Sequence, residues 1–171
     1  MNFLDWFQIQ ESSLNDLFQS TVAAFPTTTK RQYATDTIKI TNLYWMPFTG
    51  MKTLFVRALA QNEGREYNPV ILFKNVEFVN EGVELIASNG KSYAVKPISL
   101  ENNHVLLRCQ CGDFYWRGNY ADHLDKSLYG KKRKKYESLG IRPPVNPDNA
   151  SMMCKHLIKM VKVLKEAKIL S

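Results

Sequence analysis

Apolar residues first recur at Leu14, Leu17, Phe18 and Val22, three and four positions apart, and Pro26 stops the run. That spacing marks one face of a helix. Ser12 or Ser13 can cap it, and Asp16, three residues after Ser13, supplies a variant of the capping box. Ahead of the helix, Phe3, Leu4, Trp6 and Phe7 crowd four large apolar side chains into a segment too short to bury them by itself. Two readings stay open: arm and helix pack on the chain's own core, or they dock on a neighbouring subunit as an anchor.

Beyond a threonine-rich linker, Pro26 to Arg31, the period shortens to two. Thr37-Ile38-Lys39-Ile40-Thr41 alternates strictly, Leu43-Tyr44-Trp45 continues it to Pro47, and Thr53 to Leu59 forms a second strand. Val70 to Val79 supplies one or two more, followed by Val83 to Ala87 and Ser92 to Ile98. Between the last two, Asn89-Gly90 offers the two positive-φ residues of a type I′ hairpin turn. Asn103 to Cys109 predicts the next strand, with Phe114-Tyr115-Trp116 as its partner.

From Gly118 to Asn149 no period survives. Lys131-Lys132-Arg133-Lys134-Lys135 is a run of five cations, and Pro143, Pro144 and Pro147 oppose regular structure. Chain of this length without structure is normally functional or disordered. The helical period then returns: Met153, Leu157, Met160, Val161 and Leu164 share one face, while Lys155, Lys159 and Lys162 turn away.

Composition changes this picture little. With 44% hydrophobic and 23% charged residues, the 171-residue chain predicts one packed domain with an appendage. No stretch of 18 apolar residues predicts a membrane span. Met1 to Gln10 lacks a basic region and carries Asp5, so it does not read as a signal peptide. Charge is more informative. Residues 1–100 hold 9 Lys/Arg and 9 Asp/Glu, whereas residues 101–171 hold 14 and 7, so the C-terminal part supplies the whole excess of +7.

All three cysteines lie in that basic part. Cys109-Gln110-Cys111 ends an apolar run, with Gly112 placed for a tight hairpin turn, and Cys154-Lys155-His156 opens the last helical pattern. Thiolates and imidazole suit tetrahedral zinc, and four protein ligands leave no open position for substrate. Two thiols one residue apart on an extended segment point the same way. Buried free thiols and redox chemistry are the alternatives, and an odd cysteine count argues against a disulfide framework. Around zinc the four ligand atoms should converge to within roughly 4 Å of each other. In a continuous helix, Cys154 and His156 would point about 200° apart. They can share a metal only if Cys154 sits in the helix's first turn or just before it, and Pro147-Asp148-Asn149 with Ser151 as a cap allows such a late start.

Cys-x-Cys, an insert, then Cys-x-His at a helix start resembles the SWIM-type zinc finger, with Cys109, Cys111, Cys154 and His156 at its four ligand positions. The insert from Gly112 to Met153 is 42 residues, longer than that motif usually carries. More widely, Arg31-Gln32-Tyr33-Ala34-Thr35, Arg108-Cys109-Gln110-Cys111-Gly112-Asp113-Phe114-Tyr115 and Cys154-Lys155-His156-Leu157 resemble proteins of contractile-tailed phages of marine cyanobacteria. The resemblance implies a virion structural protein and names no position in the particle; the expected place is the tail, neck or baseplate region, and thiols kept reduced for metal imply assembly in the host cytoplasm. Its neighbours would be other virion proteins in multiple symmetric copies.

The expected fold class is α+β. An antiparallel core of six to eight strands lies between an N-terminal and a C-terminal helix, with a zinc-stapled C-terminal region. Residues 1–30 form the arm and helix, 31–117 the β domain, 118–148 a basic loop insert, and 149–171 the helix that closes the zinc motif. One structural Zn²⁺ per chain is expected. Partners are virion proteins, with neither membrane nor small-molecule substrate. Nucleic acid is the alternative partner, because Lys131, Lys132, Arg133, Lys134 and Lys135 accompany Tyr115, Trp116, Tyr120, Tyr129 and Tyr136. An enzyme is not expected: His104 and His123 have Asp113, Asp122 and Asp125 in their vicinity, but no spacing defines a nucleophile, a base and an orienter.

Overall fold

The computed structural model describes residues 11–26, 33–135, 137, 140 and 142–171. The arm residues Phe3, Leu4, Trp6 and Phe7 lie outside that set, as does Tyr136. Helix α1, Leu14–Ala24, starts on the expected capping box. Ser13 Oγ accepts from the Asp16 N–H at 3.2 Å, and Asp16 Oδ2 accepts from the Ser13 N–H at 2.9 Å. Two otherwise unpaired donors are thereby satisfied. The buried stripe is Leu14, Leu17 and Thr21, not the four apolar residues of the sequence pattern. Phe18 and Val22 are exposed. At 100° per residue they fall beside the stripe rather than within it.

Among the described residues seven strands follow: β1 (Lys39–Phe48), β2 (Thr53–Asn62), β3 (Arg65–Tyr67), β4 (Val70–Phe73), β5 (Phe78–Ile86), β6 (Ser92–Val95) and β7 (Val105–Arg108). They form two antiparallel sheets. The larger runs β1-β2-β4-β7, with β3 also paired to β2, and the smaller pairs β5 with β6. Strand β2 buries every second side chain, Leu54, Val56, Ala58 and Ala60. Its register places Leu54 opposite Phe73 and Val56 opposite Ile71, which in turn face Val105 and Leu107. These cross-strand pairs make one apolar face. A one-residue slip would turn the whole face to water.

The β5–β6 turn departs from the expected type I′. Gly90 has φ +80° but Asn89 does not share the left-handed region. The Gly90 N–H donates to the Ala87 carbonyl at 2.9 Å, and Asn89 Oδ1 accepts from the Lys91 N–H at 2.9 Å. The asparagine side chain supplies the acceptor that a primed turn would have drawn from the backbone.

Phe114-Tyr115-Trp116 is not a strand. It belongs to a π-helical turn, Phe114–Gly118, that runs into helix α2, Asn119–Leu124. Aromatic residues favour strands only when a pleated neighbour is available. Here Cys111 starts a helix instead, and Phe114 is driven fully into the core. Gly118 allows the close approach that results: a Cβ there would lie 3.0 Å from Phe114 Cδ2 and 3.2 Å from Met152 Cγ.

The expected loop insert is therefore structured at its start and tied down further on. The Leu107 N–H donates to the Ser127 carbonyl at 2.8 Å, and the Tyr129 N–H donates to the Leu107 carbonyl at 3.0 Å. Asn146 Nδ2 donates to the carbonyls of Arg117 and Ala150 at 2.9 and 2.8 Å. Helix α3, Lys155–Glu166, then buries Leu157, Met160 and Leu164 as its period requires, with Val161 half-buried. After it, the Ile98 N–H donates to the Ile169 carbonyl at 2.7 Å and the Ser171 N–H to the Ile98 carbonyl at 2.9 Å. No helix among the described residues is long and apolar enough to cross a membrane.

Candidate metal centre

Cys109 directly follows β7, whose last residue Arg108 is paired with Val70 of β4. The sheet thus fixes where the first thiol stands. Cys111 sits at the start of the helical stretch that contains the π turn. Its Sγ accepts from the Phe114 N–H at 3.4 Å, and its carbonyl accepts from the Tyr115 N–H at 3.0 Å. Cys154 is the N-cap of α3, with extended backbone at φ −79° and ψ 167°. His156 is the second residue of that helix. The extended Cys154 removes the 200° conflict, because the helix begins only after it.

The four ligand atoms lie within 4.8 Å of one another. His156 Nδ1 is 3.8 Å from Cys109 Sγ and 4.0 Å from Cys154 Sγ. A tetrahedron with metal–sulfur bonds near 2.3 Å has edges of about 3.6–3.8 Å. The two histidine distances are close to that edge, and the widest separation exceeds the expected 4 Å by less than 1 Å. All four residues are buried, at 4% exposure or less. This buried set could hold a metal ion with four protein donors.

The electrostatics favour a cation. The thiols of Cys109 and Cys154 donate toward the Cys111 sulfur, and the Phe114 N–H adds to them, so Cys111 is held far below the ordinary thiol range. Cys109 is pushed up chiefly by its hydrogen bond to Cys111, and Cys154 by burial. Binding a divalent cation there would require all three thiols as thiolates. At the start of the Cys111 helical stretch the Phe114 N–H points at the Cys111 sulfur, which stabilises negative charge there. Tyr67 closes the other side, its ring centroid 4.4 Å from that of His156.

No protein-family model, no curated protein and no solved structure matches this chain.

Two residues that spacing did not reveal hold the approach to Cys154. Asp122 Oδ1 accepts from the Met152 N–H at 2.8 Å, and Thr21 Oγ1 accepts from the Met153 N–H at 2.9 Å. Both side chains are buried. Neither has a sequence signature, since their partners are 30 and 132 residues away. His104 and His123 stand apart from the cluster. His104 Nδ1 lies 2.7 Å from Glu11 Oε2, and Lys74 Nζ pairs with the other oxygen, Glu11 Oε1, at 3.2 Å. His123 is exposed and has its ring centroid 6.3 Å from that of Tyr120.

The cationic run lies against the chain itself. Arg133 Nε donates to the Tyr115 carbonyl at 2.5 Å and Nη2 to the Trp116 carbonyl at 2.8 Å. Its own N–H donates to Asn119 Oδ1 at 2.8 Å. A π turn displaces carbonyls from the regular helical ladder, and a planar guanidinium with five donors is suited to collect them. Lys131, Lys132, Lys134 and Lys135 remain exposed around this anchor.

Proposed function

We propose that this chain is a non-enzymatic structural component of a tailed-phage particle, and that Cys109, Cys111, Cys154 and His156 hold one structural zinc ion. The observation that carries the metal reading is the buried four-donor cluster. Three thiols and an imidazole match the ligand preference of zinc, and a closed set of four leaves no position for a water or substrate. Zinc would supply charge neutralisation and a crosslink there. The residues of the chain do the rest: β7 and the two helix starts orient the donors, and Tyr67 with the surrounding core excludes water.

The particle reading rests on the sequence resemblance to contractile-tailed phage proteins. It is supported by a small metal-stapled domain with a conspicuously apolar N-terminal segment. A closed donor set and a histidine tied up with Glu11 and Lys74 fit a scaffold better than a reaction centre. Quantitative mass spectrometry of purified particles tests this reading. Presence at fixed copy number is expected. Abundance in the infected-cell lysate with absence from purified particles would overturn it.

A further inference from the structure

We propose that the face formed by Tyr115, Trp116, Tyr120 and the lysines around Arg133 binds single-stranded nucleic acid. This goes beyond the metal and particle reading, and the observations behind it are separate from those behind either. In the sequence, the aromatic pair and the cationic run are separated by a helix and a turn, and the fold superposes them. Tyr115 and Trp116 are 44% and 52% exposed, and their rings meet edge to face with centroids 4.9 Å apart. The Arg133 guanidinium lies 5.6 Å from the Tyr115 centroid and 5.5 Å from that of Trp116. Lys132 Nζ stands 5.8 Å from the Tyr120 centroid.

The division of labour among the cations identifies the partner. Arg133 is committed to the carbonyls of Tyr115, Trp116 and Lys134, so it holds the surface in shape. The flanking lysines carry exposed ammonium groups. Asp113, the carboxylate beside the aromatic pair in sequence, is paired with Arg117 at 3.1 Å. A cationic surface with exposed aromatic rings matches a strand whose phosphates meet lysines while its unpaired bases stack. A duplex presents its bases already stacked. An acidic protein would satisfy the lysines but would offer no flat base to stack on the exposed rings. Lysine contacts to phosphate carry no sequence information, so binding is sequence-tolerant.

Fluorescence anisotropy of a labelled oligothymidylate titrated with the full chain tests this, with duplex DNA and polyglutamate as competitors. The oligonucleotide is expected to bind and both competitors to displace it poorly. Trp116→Ala weakens binding about tenfold with the salt slope unchanged, and Trp116→Phe recovers most of the loss. Lys134→Ala instead lowers the slope of log affinity against log salt by about 0.7. Circular dichroism of each variant confirms the fold. Should Trp116→Ala fail to fold, Trp116→Phe and Lys134→Ala still decide the matter. Failure of the oligonucleotide to bind at low salt overturns the proposal. So does displacement by polyglutamate as effective as by unlabelled oligonucleotide, with Trp116→Ala without effect, which would assign the face to an acidic protein.

Discussion

The Asp122 carboxylate, fully buried on α2, accepts a hydrogen bond from the backbone N–H of Met152 at 2.8 Å, two residues before the capping thiol Cys154. A side chain from inside the long insert therefore sets where the second ligand pair begins. Asp122→Ala leaves that N–H buried without an acceptor, a cost of about 1–3 kcal/mol. Thermal unfolding of the purified variant should show the loss, together with weaker metal retention in a chelator competition.

The same carboxyl gives a pH signature. Burial raises its pKa well above the ordinary carboxylate range, with Asp125 adding in the same direction. The folded state thus keeps a proton that the unfolded chain releases. This contribution to stability is fully present below the unfolded carboxyl range and is lost as pH rises through the raised folded value. Asp122→Asn mimics the protonated acid and retains the acceptor. The stability difference between variant and wild type should therefore shift in favour of the variant as pH rises from about 4 toward neutrality. Parallel melts across that window check it, and a constant difference would contradict it.

Metal removal should be more damaging than any single substitution. Structural zinc contributes on the order of 10–16 kcal/mol of apparent binding energy in small modules. With zinc as the proposed ion, elemental analysis should return one per chain, and Cys154→Ala should abolish it. Thiols bind metal as thiolates, and the contact with Cys111 pushes Cys109 up while burial pushes Cys154 up, so loading should release protons and weaken as pH falls. Competition against a chromogenic chelator at several pH values measures this.

Arg133 anchors the cationic run, so its loss should free the segment. Limited trypsin digestion of the wild type should cut slowly within Lys131–Lys135. Arg133→Ala should be cut there rapidly, with the overall melting temperature little changed, because the site opens locally rather than globally.

Ser13→Ala removes one half of a capping box whose other half is Asp16. A loss of about 1 kcal/mol is expected, or a fall in melting temperature of about 2–4 °C for a chain of this size.

Much of this architecture is legible in the sequence because it is written in local chemistry. The Ser13–Asp16 box, the alternation of β2, the apolar face of α3 and the paired ligands each depend on residues a few positions apart. The π turn was hidden because Phe114, Tyr115 and Trp116 have strand preferences, and what overrides them is the burial of Phe114 in the core and Cys111 capping a helix. Phe18 and Val22 obey a helical period yet face outward, since period alone does not fix the edge of the buried stripe. Asp122 and Thr21 hold the ligand approach through contacts that only the tertiary fold creates. Between Lys131 and Lys135, composition gave the charge but could not show that one guanidinium of the five cations faces inward.

Cys111 does two things at once: it offers a sulfur to the metal site, and it caps the helical stretch from which Tyr115 and Trp116 project. An ion joining the two ligand pairs would close a loop of 42 residues, Gly112 to Met153, an entropic restraint of about 4 kcal/mol on the unfolded chain. That loop contains the whole cationic aromatic face. With the proposed ion bound, metal occupancy and the shape of that face would form one linked equilibrium, and a strand bound there would tighten the hold on the ion by the same factor as the ion favours the strand.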